Sequence, residues 1–256
     1  TSCSSQAEDP MTVARRVLLS TPLIDGHNDL PYAIYESEVA PGDVNAPEHD
    51  LRARTTFHTD IERLRTGMVG AQFWSVYIPY SAVQQGAAKR QLEQIDIAIQ
   101  IIDEYPDVFE LVLDASSLEQ VFSSGKIASL LGIEGGHAIE NSLGALRSYY
   151  EIGVRYMTLT HNGTLDWADA GSGEHRHGGL TEFGKEVVRE MNWLGMLVDL
   201  AHTSPGTMHD ALDVSEAPVI WSHAAANSVR EHTRNVPDDV LRRLPENGGV
   251  VMAVFY

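Results

Sequence analysis

Five short apolar runs in this chain each end on a residue that can bind a metal, and that recurrence constrains fold and chemistry together. Leu23-Ile24-Asp25-Gly26 leads into His27-Asn28-Asp29, and Leu130-Leu131-Gly132-Ile133 into Glu134. Met157-Thr158-Leu159-Thr160 leads into His161, Val198-Asp199-Leu200-Ala201 into His202, and Val219-Ile220-Trp221-Ser222 into His223. Runs of this length and apolarity read as buried strands. Two further runs, at residues 68–78 and 249–255, bring the strands to seven.

Between them lie helical patterns. Within residues 84–102, Leu92, Ile95, Ile99 and Ile102 recur at helical spacing, and Pro106 stops the run. Residues 142–152 form another helix. Phe183, Val187, Val188, Met191 and Leu194 line one face of a helix capped by Thr181 and closed by Gly195, and Ser204-Pro205 opens the next. Strand and helix in alternation mean a parallel sheet with helical crossovers. Seven strands in 256 residues predict an α/β chain folded as a (β/α)8 TIM-type barrel. Residues 1–20 read as a tail with a short helix, residues 21–256 as the barrel, and residues 36–60 as a polar loop. The sequence stops in or directly after the seventh strand. This reading therefore expects a barrel truncated before its eighth strand, and a 256-residue chain that aggregates and hydrolyses little by itself.

All strands of a parallel barrel point the same way, so their C-terminal ends gather at one mouth, where barrel active sites sit. A lone histidine at a strand end is ordinarily a polar residue at a solvent boundary. Five coincident ligand types on converging ends argue for a metal centre. His27 and Asp29, two apart in extended chain, project to one side and can grip one ion. Glu134 can give one oxygen to each of two ions, which then act as Lewis acid and source of a bridging hydroxide.

Composition removes other classes. The chain carries 36 acidic against 18 basic residues, a formal charge of −18, which disfavours binding to the phosphate backbones of nucleic acid or to anionic lipid surfaces. Its one cysteine, Cys3, rules out an intrachain disulfide and a cysteine-built metal site, so any metal must use His, Asp and Glu. The small polar stretch around Cys3 resembles the tether that follows a bacterial lipoprotein signal, and reads equally as an incidental terminus. No Gly-x-Ser-x-Gly elbow and no Gly-x-Gly-x-x-Gly turn is present, so serine hydrolysis and dinucleotide binding find no support. His49, His58, His137, His175, His177, His209 and His232 read as loop or surface residues, and the Asn162-Gly163-Thr164 sequon as incidental.

Asp25-Gly26-His27-Asn28-Asp29-Leu30-Pro31, Gly132-Ile133-Glu134-Gly135-Gly136-His137, Tyr156-Met157-Thr158-Leu159-Thr160-His161-Asn162, Asp199-Leu200-Ala201-His202, Ser222-His223 and Arg234-Asn235-Val236-Pro237-Asp238-Asp239 resemble the zinc-dependent membrane (renal) dipeptidase family. The resemblance runs from about residue 20 to the end. It implies a barrel of the metal-dependent hydrolase kind that cleaves dipeptides with two zinc ions. His27 and Asp29 would hold one zinc, His202 and His223 the other, and Glu134 would bridge them. His161 would contact substrate and polarise the scissile carbonyl, and Arg234 would grip the free carboxylate of the dipeptide. The family also carries an eighth-strand aspartate in a glycine-rich segment, and the sequence stops before any such segment. A homodimer, a membrane tether outside this chain and an extracytoplasmic, membrane-associated setting complete the expectation. Two rivals stand beside it. One is another amidohydrolase-type barrel acting on a lactone, cyclic amide or phosphoester, although such barrels usually open with His-x-His. The other is a catalytically impaired fragment or non-catalytic binding barrel.

Overall fold

Strand pairing follows the order in which the apolar runs occur. The structure, a computed structural model, describes residues 8–255, so Cys3 and its proposed tether lie outside the described residues. The strands are β1 (Leu23–Asn28), β2 (Val69–Ser75), β3 (Phe109–Leu111), β4 (Ile127–Glu134), β5 (Val154–Thr158), β6 (Leu197–Asp199), β7 (Ile220–Ala224) and β8 (Val250–Ala253). All pairings are parallel, in the order β1-β2-β4-β5-β6-β7-β8. The seven strands on this path are the seven apolar runs. The eighth, β3, pairs only with the start of β4, Phe109 opposite Ile127, on the side where β5 takes over from Leu131 onward. Three residues with a polar Glu110 at the centre gave no readable period.

The sheet curls until its ends meet. A Cβ on Gly26 of β1 would run into the Ser222 carbonyl of β7 and the Met252 sulfur of β8, so only glycine allows this closure. The result is a nearly closed barrel of the TIM type. Two apolar layers follow from the period-2 alternation of the strands. Phe73, Ala128, Leu130, Tyr156 and Ile220 form one cluster, with the Phe73 and Tyr156 rings 5.0 Å apart. Trp74, Leu131, Ile133, Met157, Val198 and Trp221 belong to the larger cluster, which takes in the helices. Glu134 shares its parity on β4 with Ala128 and Leu130, which carries it to the end of the first cluster.

Ten helices complete the described residues: α1 (Pro10–Ser20), α2 (Leu30–Tyr35), α3 (Ile61–Thr66), α4 (Ala87–Glu104), α5 (Ala115–Ser123), α6 (Leu143–Glu151), α7 (Glu182–Leu194), α8 (Pro205–Val214), α9 (Asp238–Leu241) and α10 (Leu244–Asn247). The expected caps are in place. Thr181 accepts from the Gly184 amide, Gly195 takes a left-handed φ of 82°, and Ser204 accepts from the Thr207 amide ahead of Pro205. The face of α4 differs from the sequence expectation. Leu92 is half exposed, while Gln91, Ala98 and Ile101 are buried beside Ile95 and Ile102. The Gln91 amide donates to the Val76 carbonyl at 2.8 Å, which lets a polar side chain replace an apolar one on the buried face. Helices α2, α3, α5, α9 and α10 were not expected. Each is short, and α5 is carried by a capping box between Asp114 and Ser117 rather than by an apolar stripe.

Gly132 is the tightest point of β4. It lies opposite Tyr156 in the register, and a Cβ there would run into the Tyr156 ring. Gly132→Ala should therefore destabilise the fold by about 1–3 kcal/mol through overpacking, read from the urea unfolding midpoint. A midpoint equal to that of the unsubstituted protein would show that the ring can move aside at no cost.

Candidate metal centre

The strand ends bring six of the seven singled-out side chains into one cluster. Glu134, the last residue of β4, is 4% exposed and points its two oxygens to opposite sides. Oε2 lies 3.7 Å from His27 Nε2, which is 3.2 Å from Asp29 Oδ1. Oε1 lies 2.8 Å from His202 Nε2, 3.4 Å from His223 Nε2 and 3.7 Å from His161 Nε2. Two groups of three have donor atoms close enough together to hold an ion: His27 with Glu134 and His223, and His161 with Glu134 and His202. These groups cut across the pairing expected from sequence. His223 stands beside both His27 and His202, and His161 lies among the donors. Asp29 stands at the entry to α2 without a side-chain capping bond, is half exposed and reaches only His27.

Each of three histidines is aimed by a partner on its other nitrogen. His27 Nδ1 meets the Tyr156 hydroxyl at 3.3 Å, and that hydroxyl donates to the Gly26 carbonyl at 3.1 Å. Its proton is thus committed, and it accepts from His27. His202 Nδ1 lies 3.1 Å from Asn162 Oδ1, and His223 Nδ1 lies 2.9 Å from Ser222 Oγ. With Nδ1 donating, the Nε2 of neutral His202 and His223 is left as a bare lone pair. The Nε2 atoms of His202 and His223 then face each other at 3.0 Å with a carboxylate oxygen beside them. Two lone pairs and an anion at such range suit a bound cation, and imidazole with carboxylate is the donor set of zinc and its neighbours.

Local backbone serves the same end. His202 has φ of +65°, left-handed and uncommon for a residue with a Cβ, costing about 1–2 kcal/mol. The Gly171 amide and the Thr160 hydroxyl hold its carbonyl and keep the turn. Such strain held by its surroundings is a mark of functional sites.

The electrostatics are divided. Burial works against charging His27, but the Glu134 and Asp29 carboxylates outweigh it and push its pKa up to about 9. Burial dominates at His202, whose pKa falls to about 4, and also lowers that of His161. Burial likewise opposes ionisation of Glu134, yet the imidazoles around it hold its carboxyl well below the usual range. Arg234, on the loop between β7 and α9, is lowered by burial, and its charge depresses both His161 and His202. Its Nη1 is buried with no hydrogen-bond partner. A guanidinium nitrogen left unpaired beside this cluster is placed to receive an anion.

Several residues here were invisible as a pattern. Tyr156, Ser222 and Asn162 orient the histidines, and the sequon reading passed over Asn162. The Tyr77 ring centroid lies 4.7 Å from that of His161, and burial together with Glu134 pushes its hydroxyl up to about 12. His49 and His137 are buried, against the surface reading, because backbone carbonyls accept their ring protons: Asp43 at 2.6 Å and Ile78 at 3.0 Å. His177 is pinned through its amide to Asp169 and through Nε2 to the Leu165 carbonyl.

The model of the membrane dipeptidase family, peptidase family M19, matches residues 11–256. This chain belongs to the membrane dipeptidase family. It is 46% identical over 237 residues to Dipeptidase 3 of Mus musculus, a match covering 90% of this chain and 46% of the mouse protein. The chain thus spans about half the length of that relative. Two solved structures share the fold. A metallopeptidase from Rhodobacter sphaeroides, liganded with a phosphinate mimic of the dipeptide L-Ala-D-Ala, gives a TM-score of 0.80 at 22% identity, covering 91% of this chain and 73% of that one. The probable dipeptidase PvdM from Pseudomonas aeruginosa gives 0.77 at 20% identity, covering 96% and 63%. Membership in a metallopeptidase family implies dependence on a metal, and the Glu134 cluster offers the ligands. Among the described residues no helix is long and apolar enough to cross a membrane.

Proposed function

We propose that this member of the membrane dipeptidase family hydrolyses the peptide bond of dipeptides at a centre of two zinc ions. His27 and Asp29 hold one ion, His202 and His223 the other, and Glu134 bridges both. The observation that carries this reading is the posture of Glu134, one oxygen toward His27 and the other toward His202 and His223. Bound there, the metals would supply Lewis acidity and an activated water. The chain's own residues do the rest. Arg234 pairs its free Nη1 with the substrate's terminal carboxylate, setting the distance from that end to the cluster. His161, kept neutral by burial, donates a hydrogen bond to the scissile carbonyl and stabilises the charge that develops on it. Support for a dipeptide as substrate comes from the ligand of the Rhodobacter neighbour and from the name of the mouse relative. A homodimer, a tether outside this chain and an extracytoplasmic, membrane-associated setting belong to the same proposal.

Zinc content separates a bridging from a one-sided role for Glu134. Glu134→Ala should bind neither ion with normal affinity, as measured by metal analysis after dialysis. Two retained equivalents would sink the bridge. A panel of dipeptides, a lactone and a phosphotriester, assayed on the zinc-loaded protein, should show turnover of the dipeptides alone.

Arg234→Lys replaces a two-pronged donor by a point charge. We expect KM for a dipeptide to rise by the equivalent of about 1.5–3 kcal/mol with a smaller change in kcat. The paired substrate is the dipeptide amide, which lacks the carboxylate. An equal loss on the amide would assign Arg234 a different task.

A further inference from the structure

One carboxylate near the centre belongs to no ligand set. Asp199, the last residue of β6, is fully buried, and its oxygens accept four hydrogen bonds. Oδ1 takes the amides of Ala201 at 3.1 Å and Ser222 at 2.8 Å. Oδ2 takes the hydroxyls of Thr158 at 2.5 Å and Ser222 at 2.6 Å. The two amides can only donate, and both hydroxyls donate to Oδ2, so all four partners direct their protons at Asp199. The consequence reaches His223. Ser222 has a single hydroxyl proton, and Asp199 takes it, so toward His223 Nδ1, 2.9 Å away, the serine oxygen can only accept. His223 therefore carries its proton on Nδ1 and turns a bare Nε2 toward Glu134 and His202.

We infer that Asp199 and Ser222 are positioning residues of the metal centre, a relay that fixes the tautomer of His223 and strengthens its Nε2 as a donor. Resting on the reading of His223 as a ligand, the inference adds that a negative charge one hydroxyl away sustains that role. A carboxylate behind a ligating histidine raises its basicity and locks its ring. Here the serine hydroxyl transmits the effect.

The site contains its own control. Thr158 donates to the same Oδ2 as Ser222 but makes no recorded hydrogen bond to a histidine. Thr158→Val and Ser222→Ala each delete one hydroxyl bond to Asp199, and only the second leaves His223 Nδ1 without its acceptor. Asp199→Asn goes further. The two backbone amides require an oxygen at the Oδ1 place, so the NH2 group must take the Oδ2 place and donate to Ser222. The serine proton is then free to point at His223 Nδ1 and drive the ring proton to Nε2, against the metal.

The experiment titrates zinc into the metal-stripped protein against a chromophoric chelator and records the visible spectrum of the cobalt-loaded form. Ser222→Ala should weaken one of two equivalents by about 10–100-fold and alter the cobalt band. Asp199→Asn should weaken it at least as much. Thr158→Val should bind both equivalents normally, even where its urea midpoint falls as far as that of Ser222→Ala. His223→Ala tells the two readings apart. If it retains both equivalents, His223 is not a ligand and the centre itself is misread. If it loses one while Ser222→Ala binds normally, or if Thr158→Val loses as much as Ser222→Ala, the relay is overturned and the centre stands.

Discussion

A single buried carboxylate, Glu134, organises the mouth of this barrel. Four imidazoles surround its two oxygens at 2.8 to 3.7 Å, and His27 among them is driven toward the positive charge that a carboxylate out of water needs beside it. Those imidazoles come from β1, the β5–α7 loop, the turn after β6 and β7, so the pairing ties strands far apart in sequence to one point. Moving any of those strands relative to β4 would break up the donor set around that carboxylate. The chemistry proposed for the site and the registration of the barrel thus rest on the same contacts.

Around that charge the protein has placed acceptors rather than bulk. Tyr156 OH, Asn162 Oδ1 and Ser222 Oγ each take the Nδ1 proton of one histidine, by different chemistry and from different elements. At His202 and His223 the result is a bare Nε2 facing inward, while His27 turns its Nε2 toward the carboxylates of Asp29 and Glu134. Gly132 and Gly26 make room for this order. One admits the Tyr156 ring, and the other lets β1 close against β7 and β8. Stability and function meet at these glycines, where an added methyl would disturb packing and histidine orientation together.

The charges in the site also sort its residues by task. His27, next to two carboxylates, is driven toward protonation, whereas His161 and His202, near Arg234, are held neutral by burial. Residues of one type, a few ångströms apart, thereby acquire different protonation behaviour from their neighbours alone. Arg234 keeps one buried nitrogen unpaired near Glu134 and Asp199, and we propose that the substrate carboxylate binds there.

The primary sequence by itself determined the strand ends and their ligand types. A parallel barrel sends every strand the same way, so His27, Glu134, His161, His202 and His223 had to meet once the period of the chain was read. The caps Thr181 and Ser204 were legible for the same reason, since their hydrogen bonds are local. Only the tertiary structure decided what does not repeat. Strand β3 and helix α5 are too short to show a period, and the buried face of α4 was set by one bond from Gln91 to a strand carbonyl. The burial of His49 and His137 depended on carbonyls 6 and 59 residues away in sequence. Which nitrogen of His27, His202 and His223 faces the centre is set by Tyr156, Asn162 and Ser222. The bonds from His27 to Tyr156, His202 to Asn162 and Ser222 to Asp199 join residues 129, 40 and 23 apart, leave no spacing to read, and exist only after the barrel has closed.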